Sequence, residues 1–179
     1  MSKAAELAKF IADGTLGSDV TAIKHSGGTS ALTIDSSGRI LFPNQPAFSA
    51  SRDAGNVASG DFIVFDDART NVGSAYNASD GKFTAPVAGT YAFFFYAMSN
   101  HATANINIAV EFWKNGSYLG DASPLGRQGN SYSHGQIGGH IIVTLAASDY
   151  IQVKNAGDTN SPLYMTGNAH NEFSGFLIG

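Results

Sequence analysis

The chain has 179 residues, 21 of them Gly and none Cys, and only 13% are charged, against the roughly 25% usual for a soluble domain. A formal charge of -4, with Lys and Arg scattered singly from Lys3 to Lys154, gives nucleic acid no phosphate-tracking stripe. The longest apolar run, Tyr91 to Met98, falls far short of the ~20 residues of a spanning helix. Without cysteine there is no disulfide framework, thiolate metal site or cysteine nucleophile, and this length holds one sizeable core plus an appendage.

Taken in chain order, Ser2 is placed to cap a short helix, with Ala4, Leu7, Ala8 and Ile11 at i, i+3, i+4 and i+7 and Gly14 ending it. Such a short helix is marginal alone, so it either docks on copies of the chain or a larger assembly, or frays. Glu6 and Lys9 interrupt the stretch that a secretion signal would need. Segments Ser30 to Asp35 and Arg39 to Phe42 flank Ser36-Ser37-Gly38, which predicts a small hairpin that also needs neighbours. Pro43 and Pro46 stop both ladders and mark a linker. The organisation read from this is an N-terminal segment, 1–45, and an all-β head, 46–179.

In the head, strands are predicted at Phe62 to Phe65, at Ala75 to Ala78 and Lys82 to Ala85 around the tight-turn dipeptide Asp80-Gly81, and over Gly89 to Asn100. Asn105 to Trp113 alternates, with Ile106, Ile108, Val110 and Phe112 on one face, and is followed by the turn Asn115-Gly116. After a Gly- and Ser-rich stretch from Gly120 to Gly135 come Gln136 to Leu145, Tyr150 to Lys154 and Glu172 to Ile178. Many short strands punctuated by turns predict a sandwich or jelly roll.

Tyr91 to Met98 carries large side chains on both faces: Tyr91, Phe93 and Phe95 on one, Phe94, Tyr96 and Met98 on the other. One sandwich core buries only one face. Leaving the other in water forfeits roughly 1.5–3 kcal/mol per large apolar side chain. A second buried surface, a subunit interface built from Phe94, Tyr96, Ile142 and Phe176, is therefore expected; cover by a loop or by the N-terminal segment of the same chain is the alternative.

The order Phe65, Asn71, Tyr76, Gly81, Phe83-Thr84-Ala85-Pro86, Gly89, Tyr91, Phe93, then Lys114-Asn115-Gly116 and Phe173-Ser174-Gly175-Phe176-Leu177 resembles the globular head domain of complement C1q, within the tumour-necrosis-factor-like superfamily. Pro46-Ala47-Phe48-Ser49-Ala50 resembles that family's first strand. The resemblance implies a jelly roll of about ten strands forming a compact homotrimer, both chain ends on one side. Ser148-Asp149 departs from the more frequent Gly-Asp. Some family members bind calcium through loop carboxylates, but no such position carries over to this sequence, and no cofactor or metal is assigned. Ser2 to Ala8 and Leu32-Thr33-Ile34-Asp35-Ser36-Ser37-Gly38-Arg39-Ile40 are similar to openings and shaft elements of marine bacteriophage fibre proteins. That second resemblance implies a non-enzymatic virion protein, a trimeric fibre or capsid or tail decoration. Leu7, Phe10 and Ile11 would anchor it to capsid or tail proteins. Animal heads of this type usually follow a signal peptide and a collagen-like stalk, and neither is read here. A secreted ligand- or glycan-binding module of a bacterium or animal is the alternative.

Catalytic and metal motifs are weak. His25, His101, His134, His140 and His170 show no paired ligand spacing. Gly129-Asn130-Ser131-Tyr132-Ser133 lacks the second glycine of a nucleophile elbow, and adjacent Asp66 and Asp67 diverge on a strand end. A virion glycan depolymerase would need a carboxylate pair flanking a groove, and none is persuasive. Tyr118, Arg127, Tyr132 and His134, in or beside the Gly/Ser-rich stretch, have the composition of an adaptable recognition loop for a host-surface glycan or protein. Incidental tyrosines in a solvated loop are the alternative there.

Overall fold

A computed structural model describes residues 22–24, 26–53, 55–99, 106–120, 125–128, 136–157, 163–164 and 170–179. The expected helix with Leu7, Phe10 and Ile11 lies outside them, as do Tyr132 and His134. Chain contacts divide into two compact units, Met1–Asn44 and Gln45–Gly179, and the described residues of both are strands and turns.

In the first unit β1 (Ala22–Lys24), β2 (Ser30–Ile34) and β3 (Ile40–Leu41) form an antiparallel sheet in the order β1-β2-β3. The expected hairpin is its β2–β3 half; β1 is a third strand whose three residues are too few to show periodicity. The β2–β3 turn has a clear cause. Gly38 takes φ +78°, where a side chain is strained, and the Asp35 carboxylate accepts from the backbone N–H of Ser37 at 2.8 Å and of Arg39 at 3.0 Å while meeting Arg39 Nε at 2.7 Å. These bonds, Arg39's foremost, hold the Asp35 carboxyl below its ordinary range.

The second unit is a sandwich of two six-stranded sheets. Its strands are β4 (Ala47–Ser51), β5 (Asp67–Val72), β6 (Tyr76–Asn77), β7 (Lys82–Thr84), β8 (Gly89–Ser99), β9 (Ile106–Lys114), β10 (Ser117–Tyr118), β11 (Leu125–Gln128), β12 (Gln136–Leu145), β13 (Tyr150–Asn155), β14 (Leu163–Tyr164) and β15 (Glu172–Leu177). One sheet runs β12-β8-β15-β4-β5 with β14 beside β8; the other runs β10-β9-β13-β7-β6 with β11 beside β9. This is an all-β jelly roll, and Tyr91, Phe93, Phe95 and Phe173 of one sheet meet Phe83, Val110, Phe112 and Val153 of the other in the core. Aromatic packing fills its centre: Phe48 stacks on Tyr76 at 4.7 Å, meets Phe173 edge-on at 4.8 Å, and Phe95 lies 5.0 Å from Phe112. Such pairs contribute about 0.5–1.5 kcal/mol each beyond the burial of their area.

Three expectations are corrected. Phe62 to Phe65 is not a strand: Phe62 makes one isolated bridge to Lys154 and Ile63 N–H donates to Val153 at 2.8 Å. Its apolar letters mark burial, Ile63 and Phe65 both being 0% exposed, rather than a continuous ladder. Asp80-Gly81 is the end of a longer loop, because Asn77 pairs with Lys82 and the chain turns through residues 78–81. Finally β11 runs through the Gly/Ser-rich stretch read as loop, pairing Leu125–Gln128 with β9.

Candidate functional site

The register of the β12-β8-β15 ladder decides which side chains share a face. Phe94 stands opposite His140 and Ser174, Ala92 opposite Ile142 and Phe176, and Tyr96 opposite Gly138 and Glu172. Because facing residues of an antiparallel ladder project to one side, these rows form the outer surface of the sheet while Phe93 and Phe95 point into the core. Phe94 is 43% exposed, Tyr96 38%, Ile142 68% and Phe176 44%, whereas Phe93 is 0%. The alternation expected for this strand is thus present, and among the described residues nothing of the same chain covers the outer side. Phe94 stacks with Phe176 at 6.1 Å and with His140 at 6.2 Å, and Ala92 between Ile142 and Phe176 is already buried. The result is a continuous apolar patch, with His140 and Glu172 as the carriers of ionisable charge along these rows. Surfaces of this kind mark interaction sites.

The quoted signature residues act on architecture. Asn71 bridges backbone to backbone: its Nδ2 donates to Tyr76 O at 2.8 Å and its Oδ1 accepts from Tyr76 N at 3.1 Å. The Tyr76 hydroxyl, in the core, donates to Phe65 O at 2.8 Å, and burial pushes this phenol above its ordinary range. Gly175 is required by close approach, since a Cβ there would sit 2.5 Å from Phe93 Cδ1 and 2.8 Å from Ala92 O. Lys114-Asn115-Gly116 makes the β9–β10 turn, with Asn115 at φ +51° and Gly116 at φ +76°. That turn is tied to the β12–β13 turn: Lys114 Nζ meets Asp149 at 2.8 Å, Asn115 Nδ2 donates to Asp149 at 2.7 Å, and Asn115 Oδ1 accepts from Tyr150 N at 2.9 Å. Asp149 also accepts from Ala146 N at 2.8 Å. Lys114 first, then Asn115 and Ala146, bring its carboxyl down to about 2. The letters alone do not show these roles, because spacing does not reveal a clasp between turns 34 residues apart.

The candidate recognition residues are dispersed as far as they are described. Tyr118, 45% exposed, pairs with Trp113 in the β9–β10 ladder and its ring lies 6.2 Å from the indole. Arg127 is on β11, paired with Asn107. The two partner positions are separated along β9 by about 20 Å at 3.3 Å per residue. Around Trp113 lies a cluster that sequence reading missed: Lys154 Nζ sits 4.2 Å over its ring, Phe62 packs edge-on at 5.6 Å and the indole N–H donates to Glu111 at 3.0 Å. Glu111, Trp113, Tyr118 and Lys154 come together through strand pairing, invisible to local spacing. Asp67 begins β5, its carboxylate receiving Ser51 Oγ at 3.3 Å and lying 3.8 Å from Arg69 Nε. Among the described residues no group of three or more His, Cys, Asp or Glu is positioned to hold a metal ion.

Residues 47–178 match the family model for the C1q domain. Caprin-2 of Danio rerio is 26% identical over 140 residues, covering 74% of this chain and 14% of that protein. Complement C1q tumor necrosis factor-related protein 3 of Homo sapiens is 27% identical over 116 residues, covering 65% of this chain and 44% of that one. The chain therefore spans less than half the length of these curated relatives. Among solved structures, the globular domain of zebrafish complement 1qA superimposes with a TM-score of 0.58 at 24% identity, over 75% of this chain and 98% of that one. The match over residues 47–178, about three-quarters of the chain, leads to one conclusion: this chain belongs to the C1q domain family.

Proposed function

We propose that the chain is a non-enzymatic recognition module that works as a homotrimer, three copies meeting through Phe94, Tyr96, Ile142 and Phe176. The observation that carries this reading is the exposed apolar face of β8, β12 and β15. Fully burying a large apolar side chain gains roughly 1.5–3 kcal/mol, and these four are between 38% and 68% exposed, so a self-complementary trimer recovers part of that at each. The trimer presents three copies of every exposed side chain, so weak contacts to a surface glycan or protein through Tyr118, Arg127, Tyr132 and His134 gain by multivalency.

The setting we propose is a bacteriophage virion, as a fibre or as a capsid or tail decoration, with residues 1–45 as anchor and Leu7, Phe10 and Ile11 as its apolar contacts. The similarity of Ser2 to Ala8 and Leu32 to Ile40 to fibre openings and shafts supports it. A second reading, a secreted C1q-like module, is favoured by the relatives from animals. Immunoblots of purified particles separate the two. The full chain is expected to co-purify with virions and residues 46–179 to be lost from them. Equal incorporation removes the anchor role, and absence of both forms from particles favours the secreted module.

A further inference from the structure

The three-stranded sheet of the first unit has no buried residue among those described from Ala22 to Asn44. Its large aliphatic side chains are nonetheless mostly sorted to one face; Leu41, which pairs with Thr33 and is 46% exposed, is on the other. Ile23 pairs with Leu32, and Ile34 pairs with Ile40. Leu32 and Ile34 lie two apart on β2, so all four share one face. On that face Ile23 is 51% exposed and Ile40 58%. A sheet of this size without a packed face does not stand alone in water, so the stripe needs a partner.

Chain continuity argues which partner it is. Residues 42–46 separate β3 from β4, a reach of at most about 20 Å. Once three heads assemble, three such sheets are tethered within that distance of them, at the millimolar effective concentrations typical of short linkers. Each stripe is aliphatic and uncharged, with Asp35 and Arg39 paired to one another at the turn beside it, so copies meet without opposed charge. We propose that the face made by Ile23, Leu32, Ile34 and Ile40 packs against the same face of the other two copies, a second self-association interface distinct from the outer sheet of the head. This inference rests on the trimeric reading of the head.

The 179-residue chain contains no cysteine, which makes thiol crosslinking clean. Ile40→Cys on the stripe and Ser37→Cys at the exposed β2–β3 turn are oxidised at equal concentration and run on non-reducing gels, with the mass of each measured by light scattering. The expected result is a trimeric mass for both and dimer bands forming at least tenfold faster for Ile40→Cys. At most two-thirds of chains would crosslink, since one thiol per trimer finds no partner. Ile23→Cys on the same face is expected to behave alike and guards against a local defect at residue 40. Trimers in which neither stripe variant crosslinks faster than Ser37→Cys overturn this inference and leave the head trimer standing. A monomeric mass removes the trimer reading and this one with it.

Discussion

Replacing Ser148 by Gly should stabilise the protein, although it removes a side chain. Ser148 sits in the β12–β13 turn at φ +73°, a conformation that costs an L-residue roughly 1–2 kcal/mol. The backbone is held there from both sides: Ser148 N–H donates to Ala85 O at 2.8 Å and Asp149 N–H to Ala146 O at 3.1 Å. Its side chain is exposed, so little packing is lost on removing it. Gly relieves the strain but adds about 0.4–1 kcal/mol of unfolded-state entropy, leaving a net gain of about 0.5–1 kcal/mol. For a domain near 150 residues that raises Tm by about 2–4 °C per kcal/mol. Circular dichroism melts at one fixed protein concentration provide the assay, because Tm of an oligomer depends on concentration. Ser148→Ala keeps the positive φ and is expected to gain nothing. If Ser148→Gly melts at or below the parent, or Ser148→Ala gains as much, turn strain is not what distinguishes this position.

Gly175→Ala places a methyl against Phe93 Cδ1 and Ala92 O, and should destabilise by about 1–3 kcal/mol through overpacking, read as a lower urea midpoint at constant slope. Tyr76→Phe leaves Phe65 O without its buried hydroxyl donor and should cost about 1–3 kcal/mol in the same assay; an unchanged midpoint would refute that role. Asp149 governs an acid window. Its carboxyl is lowered from 3.8 to about 2 in the fold, so the stability it confers is full above the unfolded value and is lost as pH falls through the folded one. Asp149→Asn should therefore flatten the part of the stability profile between about pH 4 and pH 2, and a profile identical to the parent's there would show that the clasp does not couple to folding.

Long, strongly patterned strands were legible from the letters: β8, β9, β12, β13 and β15 lie within a residue or so of the expected segments, because alternation and β-branched or aromatic content point the same way. The polar edge strand β5, Asp-Ala-Arg-Thr-Asn-Val, was not, since most of it is exposed and nothing periodic marks it. Phe62 to Phe65 erred oppositely, as burial without a ladder produces the same letters as a buried strand. The outer-face residues Phe94, Tyr96, Ile142 and Phe176 were recoverable because parity alone separates them from Phe93, Ile141, Val143 and Phe173. The clasp of Lys114, Asn115 and Asp149 and the cluster around Trp113 were not, because each is made by strands distant in sequence whose register no local pattern encodes.

In the proposed assembly the outer face of β8, β12 and β15 joins three copies. Sedimentation equilibrium of the parent chain beside Phe94→Asp reads that contact. The expected result is three times the chain mass for the parent, and monomers or aggregates for the variant. A monomeric parent at micromolar concentration, or a well-folded trimer of Phe94→Asp, would contradict it.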